Sequence, residues 1–492
     1  MQRDRSGDIL LPAVGEVVSY RIVVVSNRLP ITLKKVDTGQ WEVEPSPGGL
    51  VTALAPLLSE RGGLWVGWPG TLEMVDLDEI LAMARRDLGY LIKPVSLTQE
   101  DLNQYYFGFS NEIIWPLFHD LQTRCNFDPT YWTAYQRVNR KFAQVIADNA
   151  GMEDYIWVQD YQLMLVAKEL RSMGVENKVG FFLHTPFPAL DIFMKLPWRA
   201  KILEALLDYD VVGFQTRRDR NNFVYCVESM LKGVQVDARK QVSTMTTPRR
   251  EIGVGSFPIS IDFKDFARQA KSPVVAGAAR QLRESMPDQR ILLGVDRLDY
   301  SKGIPEKLKA FRNALERFYE LRGRITLIQV AVPSREDIPE YQALRDEIEG
   351  LVSEINGIFT QPGWIPVHYM FRSMGRTELL AYYLAADIAL ITSLKDGMNL
   401  VAKEYCAANV DENGVLILSE FAGASKELHR WSLIVNPYDV EGVAEAVHEA
   451  FHMSMDERQR RMNRLRKSVA RRDVFWWVDS FLQAAIGREK TT

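Results

Sequence analysis

Apolar runs of strand length recur along this chain in two series, and their spacing restricts the fold more than any other feature. The first series occupies residues 22–26, 64–68, 155–158, 179–183 and 211–214; the second occupies 291–295, 325–332, 388–392, 415–418 and 433–435. Between most of them lie helix-period patterns, such as 137–146 and 161–173, the alternation expected of parallel βαβ units. An α/β chain of two doubly wound domains follows. A short Gly- and Pro-containing segment at 253–262 separates the first series from a helical stretch at 263–285. The predicted division is an N-terminal extension 1–20, a domain 21–257, a second domain 258–472, and a C-terminal helix 473–492 that packs back on the first domain. With two such domains, the cleft between them is the natural ligand site.

Composition narrows the function classes. The 492 residues are 47% hydrophobic and 25% charged, with a formal net charge of −4, so no basic excess points to nucleic acid. Cys125, Cys226 and Cys406 are odd in number and widely spaced, which suggests neither a disulfide framework nor a cysteine zinc site and fits a reducing cytoplasm. The first 20 residues lack a cationic segment leading into an apolar core, and no run approaches ~18 uninterrupted apolar residues. A cytoplasmic protein without membrane attachment is expected.

The strand ends carry the chemistry. VDRLDYSKG, 295–303, leaves an apolar run with Arg297 and Lys302 five residues apart, a planar guanidinium fork and a compact ammonium suited to a diphosphate. In the first half, SNRLP follows the opening run, and PGGL places Gly48 and Gly49 before the helical stretch 51–58, where backbone amides can approach an anion. The segment 393–404 puts Asp396 at a strand end, the amides of Gly397, Met398, Asn399, Leu400 and Val401 toward it, and Glu404 two turns on. A sugar hydroxyl, a phosphate and a ribose diol would satisfy these three features; a helix cap and an exposed face are the plainer alternative. FLHTPFP ends a strand at His184, and WVQDY ends one at Asp160, which could serve as a base, a hydroxyl acceptor or an N-cap.

Three patterns are set aside. His448-Glu449-Ala450-Phe451-His452 matches H-E-x-x-H, yet Val443, Val447 and Phe451 form the apolar stripe of that helix, the histidines lie on its polar flank, and no later histidine completes a catalytic zinc site. Asp208-Tyr209-Asp210 has the form of a metal-binding DxD but precedes a strand instead of ending one. The cationic stretch 456–472 is read as a solvated helix face, followed by an apolar end with Trp476, Trp477 and Phe481. No metal site is expected.

Together SNRLP, PGGL, WVGWPG, FSNEIIWP, HTPFP, DRLDYSKG, PSRED, DGMNLVAKEY and SEFAGA resemble the trehalose-6-phosphate synthase family over about residues 23–481. The resemblance implies two facing Rossmann-like domains of the GT-B type with an interdomain active site. It also implies transfer of glucose from a nucleotide sugar, UDP-glucose being the expected donor, to glucose 6-phosphate with retention, forming α,α-trehalose 6-phosphate. By the same resemblance Gly48 and Gly49 lie by the nucleotide sugar, Arg297 and Lys302 bind its diphosphate, Glu404 holds its ribose, and His184 and Asp396 contact the transferred glucose. His184, Arg297, Lys302 and Asp396 form the implied catalytic set. Arg28, Trp68, Tyr106, Trp115, Asp160 and Arg335 form the implied acceptor site. No cofactor is implied; the partners are the two substrates, with homo-oligomerisation left open.

Such transfer is described as same-face attack in which the leaving phosphate helps to deprotonate the acceptor, so positioning and charge stabilisation carry the rate. The chain departs from the family pattern at Gln159 and Gln162, where histidines are usual, and at Ser260, where glycine is usual. Gln159 hydrogen-bonds but cannot titrate near neutral pH. These departures keep three alternatives beside the main expectation: a glucosylglycerol-phosphate synthase, a pseudo-glycosyltransferase, or a non-catalytic sugar-phosphate sensor.

Overall fold

The computed structural model describes residues 20–35, 41–45, 49–72, 88–237, 242–335 and 338–487. The extension 1–20 lies outside them apart from Tyr20. Strand β1, Ile22–Arg28, shows why the apolar runs become central strands: Val23, Val24 and Val25 are fully buried although they point to alternate faces. Both faces therefore need cover, which parallel βαβ winding supplies.

Helices connect most strands of two sheets. After β1 come a hairpin, β2 (Ile31–Lys35) with β3 (Trp41–Pro45), then β4 (Gly63–Trp68), β5 (Leu91–Pro94), β6 (Tyr155–Gln159), β7 (Val179–Leu183) and β8 (Val211–Phe214). Strands β9 (Gln235–Asp237), β10 (Ser243–Thr246) and β11 (Glu251–Ser256) finish the first half. The first sheet runs β5-β4-β1-β6-β7-β8-β11-β10-β9, parallel through β11 and antiparallel beyond it. The second comprises β12 (Arg290–Arg297), β13 (Ile325–Val332), β14 (Val367–Phe371), β15 (Ile388–Ile391), β16 (Val415–Ser419) and β17 (Leu433–Val435), all parallel, in the order β14-β13-β12-β15-β16-β17. Apolar clusters line both faces of each sheet. No described helix is long and apolar enough to cross a membrane.

Strand order reverses between β1 and β6 in the first sheet and between β12 and β15 in the second. These are the switch points where open α/β sheets leave a crevice at their carboxyl edges. The final helix, Val474–Ile486, leaves the second sheet through a Val474 N–H bond to the Ile261 carbonyl. It then buries Trp477 and Phe481 on Trp157, whose ring stacks on Phe481 at 4.6 Å.

Two helical stretches expected as continuous are divided. Residues 161–173 form a short 3-10 turn, Tyr161–Leu163, and a helix, Val166–Ser172. Side chains of the neighbouring helix, Pro129–Asn149, account for the break: Tyr135 Oη donates to the Tyr161 carbonyl and accepts from Met164 N, while Asn139 bonds the Gln162 carbonyl and Leu165 N. Residues 263–285 form Phe263–Ala270 and Pro273–Glu284, separated where Ser272 caps a new helix ahead of Pro273. In the cationic helix Met455–Arg471 the solvated face is incomplete, because Arg458 is buried against Asp387 and Arg466 donates to the Cys406 and Ala407 carbonyls. Asp210 of the DxD pattern is spent on Arg171 and Arg250.

Candidate active site

Each switch point delivers one group of side chains into the cleft. Arg28 ends β1, Asp160 follows β6, Arg297 ends β12, and Asp396 follows β15. The two edges touch: Lys395 pairs with Asp120, Arg124 lies over the Tyr300 ring at 4.8 Å, and Arg297 and Arg335 lie over Trp115 at 5.4 and 4.4 Å. Gly397 comes so near the first domain that a Cβ there would stand 2.2 Å from the His184 carbonyl oxygen and 2.9 Å from the Thr185 carbonyl carbon.

On the second-sheet side, Asp299 organises the turn after β12. It accepts from Ser301 N and Oγ at 2.9 and 2.8 Å, starting the 3-10 turn Tyr300–Lys302. Gly303 then takes a left-handed φ of 65°, where a Cβ would lie 2.7 Å from the Thr392 carbonyl oxygen, and the helix Ile304–Arg317 begins. The turn locks onto the loop after β15 by Leu394 N to Ser301 O at 2.9 Å and by Lys302 Nζ to Asp396 Oδ2 at 2.6 Å. Burial would raise the Asp396 carboxyl, but Lys302 and the Met398 N–H outweigh it and hold the group below its ordinary value. Asn399, at a φ of 65°, caps the helix Leu400–Ala408 by accepting from Ala402 N. Glu404 accepts from Tyr383 Oη at 2.9 Å, and burial raises its carboxyl.

Asp299 is also the electrostatic hub. Its carboxylate is fully buried, yet Arg335, Arg297 and Lys302 overcome the burial penalty and hold it down at about 2. Arg335 approaches Asp299 Oδ2 at 3.6 Å, donates to Tyr341 Oη at 2.6 Å and reaches Tyr161 Oη at 3.4 Å. Burial disfavours its charge, but Tyr161, Tyr341 and Asp299 more than compensate and keep the guanidinium firmly protonated. Burial pushes His119 down to about 4, so it faces Asp299, Asp396 and Lys302 as a neutral ring.

On the first-sheet side, Arg28 stacks on Trp68 at 4.2 Å and is crowded enough that its guanidinium falls below the ordinary value, although the Tyr106 phenol opposes this. The same phenol acts on Arg335, so both guanidiniums share Tyr106 as a neighbour. Tyr106 and Trp115 belong to one helical rod whose segment Leu102–Ile114 is π-helical. Nine residues would put them on opposite faces of an α-helix, whereas i→i+5 bonding, roughly 4.4 residues per turn, returns them to one face. Trp115 Nε1 is buried with no hydrogen-bond partner among the described residues. Asp160 adopts a φ of 71°, accepts from His184 N at 3.2 Å, and is pushed by burial up to about 6 against the hydrogen bonds of nearby amides.

Both His184 ring nitrogens are engaged within the protein. Ile259 N donates to Gln215 Oε1 at 2.9 Å, which orients that amide so that its Nε2 donates to His184 Nδ1 at 3.1 Å. The proton therefore sits on His184 Nε2 and is donated to Gln159 Oε1 at 2.9 Å. Burial lowers the ring to about 3, so it is neutral throughout the physiological range.

The expected residues thus gather along one cleft: Arg28, Trp68, Tyr106, Trp115, Asp160 and His184 from one side, and Arg297, Lys302, Arg335, Asp396, Gly397, Met398, Asn399, Leu400, Val401 and Glu404 from the other. Gly49 opens the helix Gly49–Arg61, whose Leu50 and Val51 share an apolar cluster with Met398 and Leu400; Gly48 lies outside the described residues. Asp299, His119, Tyr161 and Tyr341 were not expected there. Asp299 and Tyr161 stand inside motifs already singled out, whereas His119 and Tyr341 carry no local signal.

Two wound sheets meeting at their switch-point edges across a cleft rich in Arg and Lys define a glycosyltransferase of the two-Rossmann-domain, GT-B class. A Burkholderia xenovorans α,α-trehalose-phosphate synthase (UDP-forming), solved with glucose-6-phosphate, superposes with a TM-score of 0.84 at 34% identity, covering 94% of this chain and 99% of that one. An E. coli structure bound with UDP-2-fluoro glucose gives 0.84 at 36% identity, covering 94% and 98%. The chain belongs to glycosyltransferase family 20, whose model matches residues 20–486. Among its relatives, the trehalose-6-phosphate synthase of Mycobacterium leprae (strain TN) is 44% identical over 469 residues, 94% of each chain.

Proposed function

We propose that this chain transfers glucose from UDP-glucose to the anomeric hydroxyl of glucose 6-phosphate, giving α,α-trehalose 6-phosphate and UDP with retention. The observation that carries the proposal is the division of cationic groups within one cleft: Arg297 and Lys302 on the turn after β12, Arg28 and Arg335 around Tyr106 and Trp115. In this reading 258–472 is the nucleotide-sugar domain and 21–257 the acceptor domain. The C1–O bond to the β-phosphate breaks as the acceptor oxygen bonds C1 on the same face, and the acceptor proton passes to the departing phosphate oxygen.

Each group then has a task. Arg297 and Lys302 offset charge on the leaving diphosphate, the amides from Gly397 to Val401 receive its oxygens, and Glu404 takes the ribose. Lys302 holds Asp396 ionised to accept sugar hydroxyls. His184, neutral and fixed by Gln159 and Gln215, shapes the sugar pocket without moving a proton. Arg28 and Arg335 bind the acceptor phosphate. A cytoplasmic setting completes the proposal, supported by three unpaired cysteines.

The test is incubation of pure protein with UDP-glucose and a panel of phosphorylated acceptors, with UDP release and product configuration followed by NMR. The expected result is UDP release with glucose 6-phosphate and an α,α-linked product. Release only with glycerol 3-phosphate would overturn the proposal.

A further inference from the structure

The H-E-x-x-H pattern gains in the folded chain what it lacks in the sequence, a third ligand. Helix Val440–His452 buries Val443, Val447 and Phe451 and leaves His448 and His452 on its outer side, one turn apart. The third group comes from a preceding segment, the 3-10 turn Tyr319–Leu321: His448 Nε2 lies 2.8 Å and His452 Nε2 3.7 Å from Glu320 Oε1. One ligand atom from each of the three residues lies within 4.8 Å of the others. Ligand atoms of a tetrahedral zinc site stand roughly 3.3 Å apart, given metal bonds of about 2.0–2.2 Å, so the present spacing needs only small side-chain movement.

We propose that Glu320, His448 and His452 form a binding site for a zinc-class divalent ion, separate from the transfer site. Two imidazoles and one carboxylate are the donor set that suits zinc, with the remaining position open to water. The Phe318 ring stacks on His448 at 4.0 Å and 19°, which fixes the plane of the imidazole before any ion arrives. In the ion-free chain a hydrogen bond holds His448 to Glu320; the ion replaces that shared proton and draws His452 in.

The site lies away from the cleft. Helix Ile304–Arg317 begins beside the Lys302 turn and runs about 20 Å, at 1.5 Å per residue, before the chain reaches Glu320. Arg317 at its far end pairs with Glu445 at 2.7 Å, which places the His448 end of helix Val440–His452 at that same far edge. The ion would therefore clamp helix Val440–His452 to the turn that leads into β13, acting on stability and not on the reacting atoms.

The experiment is a Zn2+ titration of the untagged full chain by calorimetry and by chelator competition, alongside Tm measurements. The proposal expects one ion per chain, a rise in Tm on zinc addition, and, since both are direct ligands, affinity weaker in both His452→Ala and Glu320→Gln by more than the roughly 10–100-fold that loss of an outer-shell partner costs. His452 is half-exposed, so its removal leaves the fold intact, and metal-free H452A should turn over substrate like the parent chain. The absence of saturable binding, or equal affinity in H452A and the parent, would overturn the proposal.

Discussion

Asp299→Asn tests how the cleft tolerates three cations before any substrate enters. Arg297, Lys302 and Arg335 all act on this one buried carboxylate. The group sits at about 2 against an ordinary 3.8, and at ~1.4 kcal/mol per pH unit this corresponds to about 2.5 kcal/mol by which the folded cleft favours the charged form. Asparagine keeps the shape and can still accept from Ser301 N, so the substitution removes mainly the charge. The folded value lies below the unfolded one, so the stabilisation is complete above about pH 4 and disappears as pH falls through about 2. D299N should therefore melt roughly 5–10 °C lower at pH 7 for a domain of this size, with the gap closing toward pH 2. Substrate anions should supply part of the missing charge, so saturating UDP with glucose 6-phosphate should raise the Tm of D299N more than that of the parent chain. Thermal melts with and without both ligands provide the assay. Equal Tm values for the two proteins at pH 7 would refute the hub.

Two other predictions concern residues on the first-sheet side of the cleft and what packs against them. Gly397→Ala places a methyl against backbone atoms of His184 and Thr185 that cannot rotate away; the loops must separate, and a displacement near 1 Å costs about 100-fold in kcat/KM. Unchanged kinetics in a folded G397A would show that the approach is not required. Asp160, raised to about 6 by burial, is charged above that pH and neutral below it; acceptor kcat/KM should therefore fall as pH drops through about 6, with D160N low and free of that limb. A parent profile flat from pH 5 to 7 would remove Asp160 from acceptor binding.

Central strands were legible because parallel sheets bury both faces and so produce uninterrupted apolar runs, as in residues 22–26 and 325–332. Most edge strands were not, β17 at 433–435 excepted. In β14 only Val367 is fully buried, β9 and β10 are short and polar, and two glycines interrupt the inner strand β11, so periodicity does not separate these segments from loops. Strand-end charges such as Arg297 and Asp396 could be found because the fold class dictates where ligands lie. The hub could not: Asp299, Arg335 and Tyr341 come together only when β12 and β13 pair. Tyr106 and Trp115 share a face only through π-helical winding, whose period differs from the 3.6 used to read a helix. Glu320 is invisible as a partner of His448 for a similar reason, since 128 residues separate them.

The division of labour between the two cationic groups is tested most directly by calorimetric binding of UDP and of glucose 6-phosphate, separately, to Lys302→Ala and Arg28→Ala. Lys302 belongs to the turn after β12 and Arg28 to the end of β1 over Trp68, so the effects should cross. K302A should lose about tenfold or more in UDP affinity, a charge-assisted contact of ~1.5–3 kcal/mol, and keep glucose 6-phosphate, while R28A should do the reverse. Losses of equal size for both ligands in both variants would contradict a cleft with separate donor and acceptor phosphate sites.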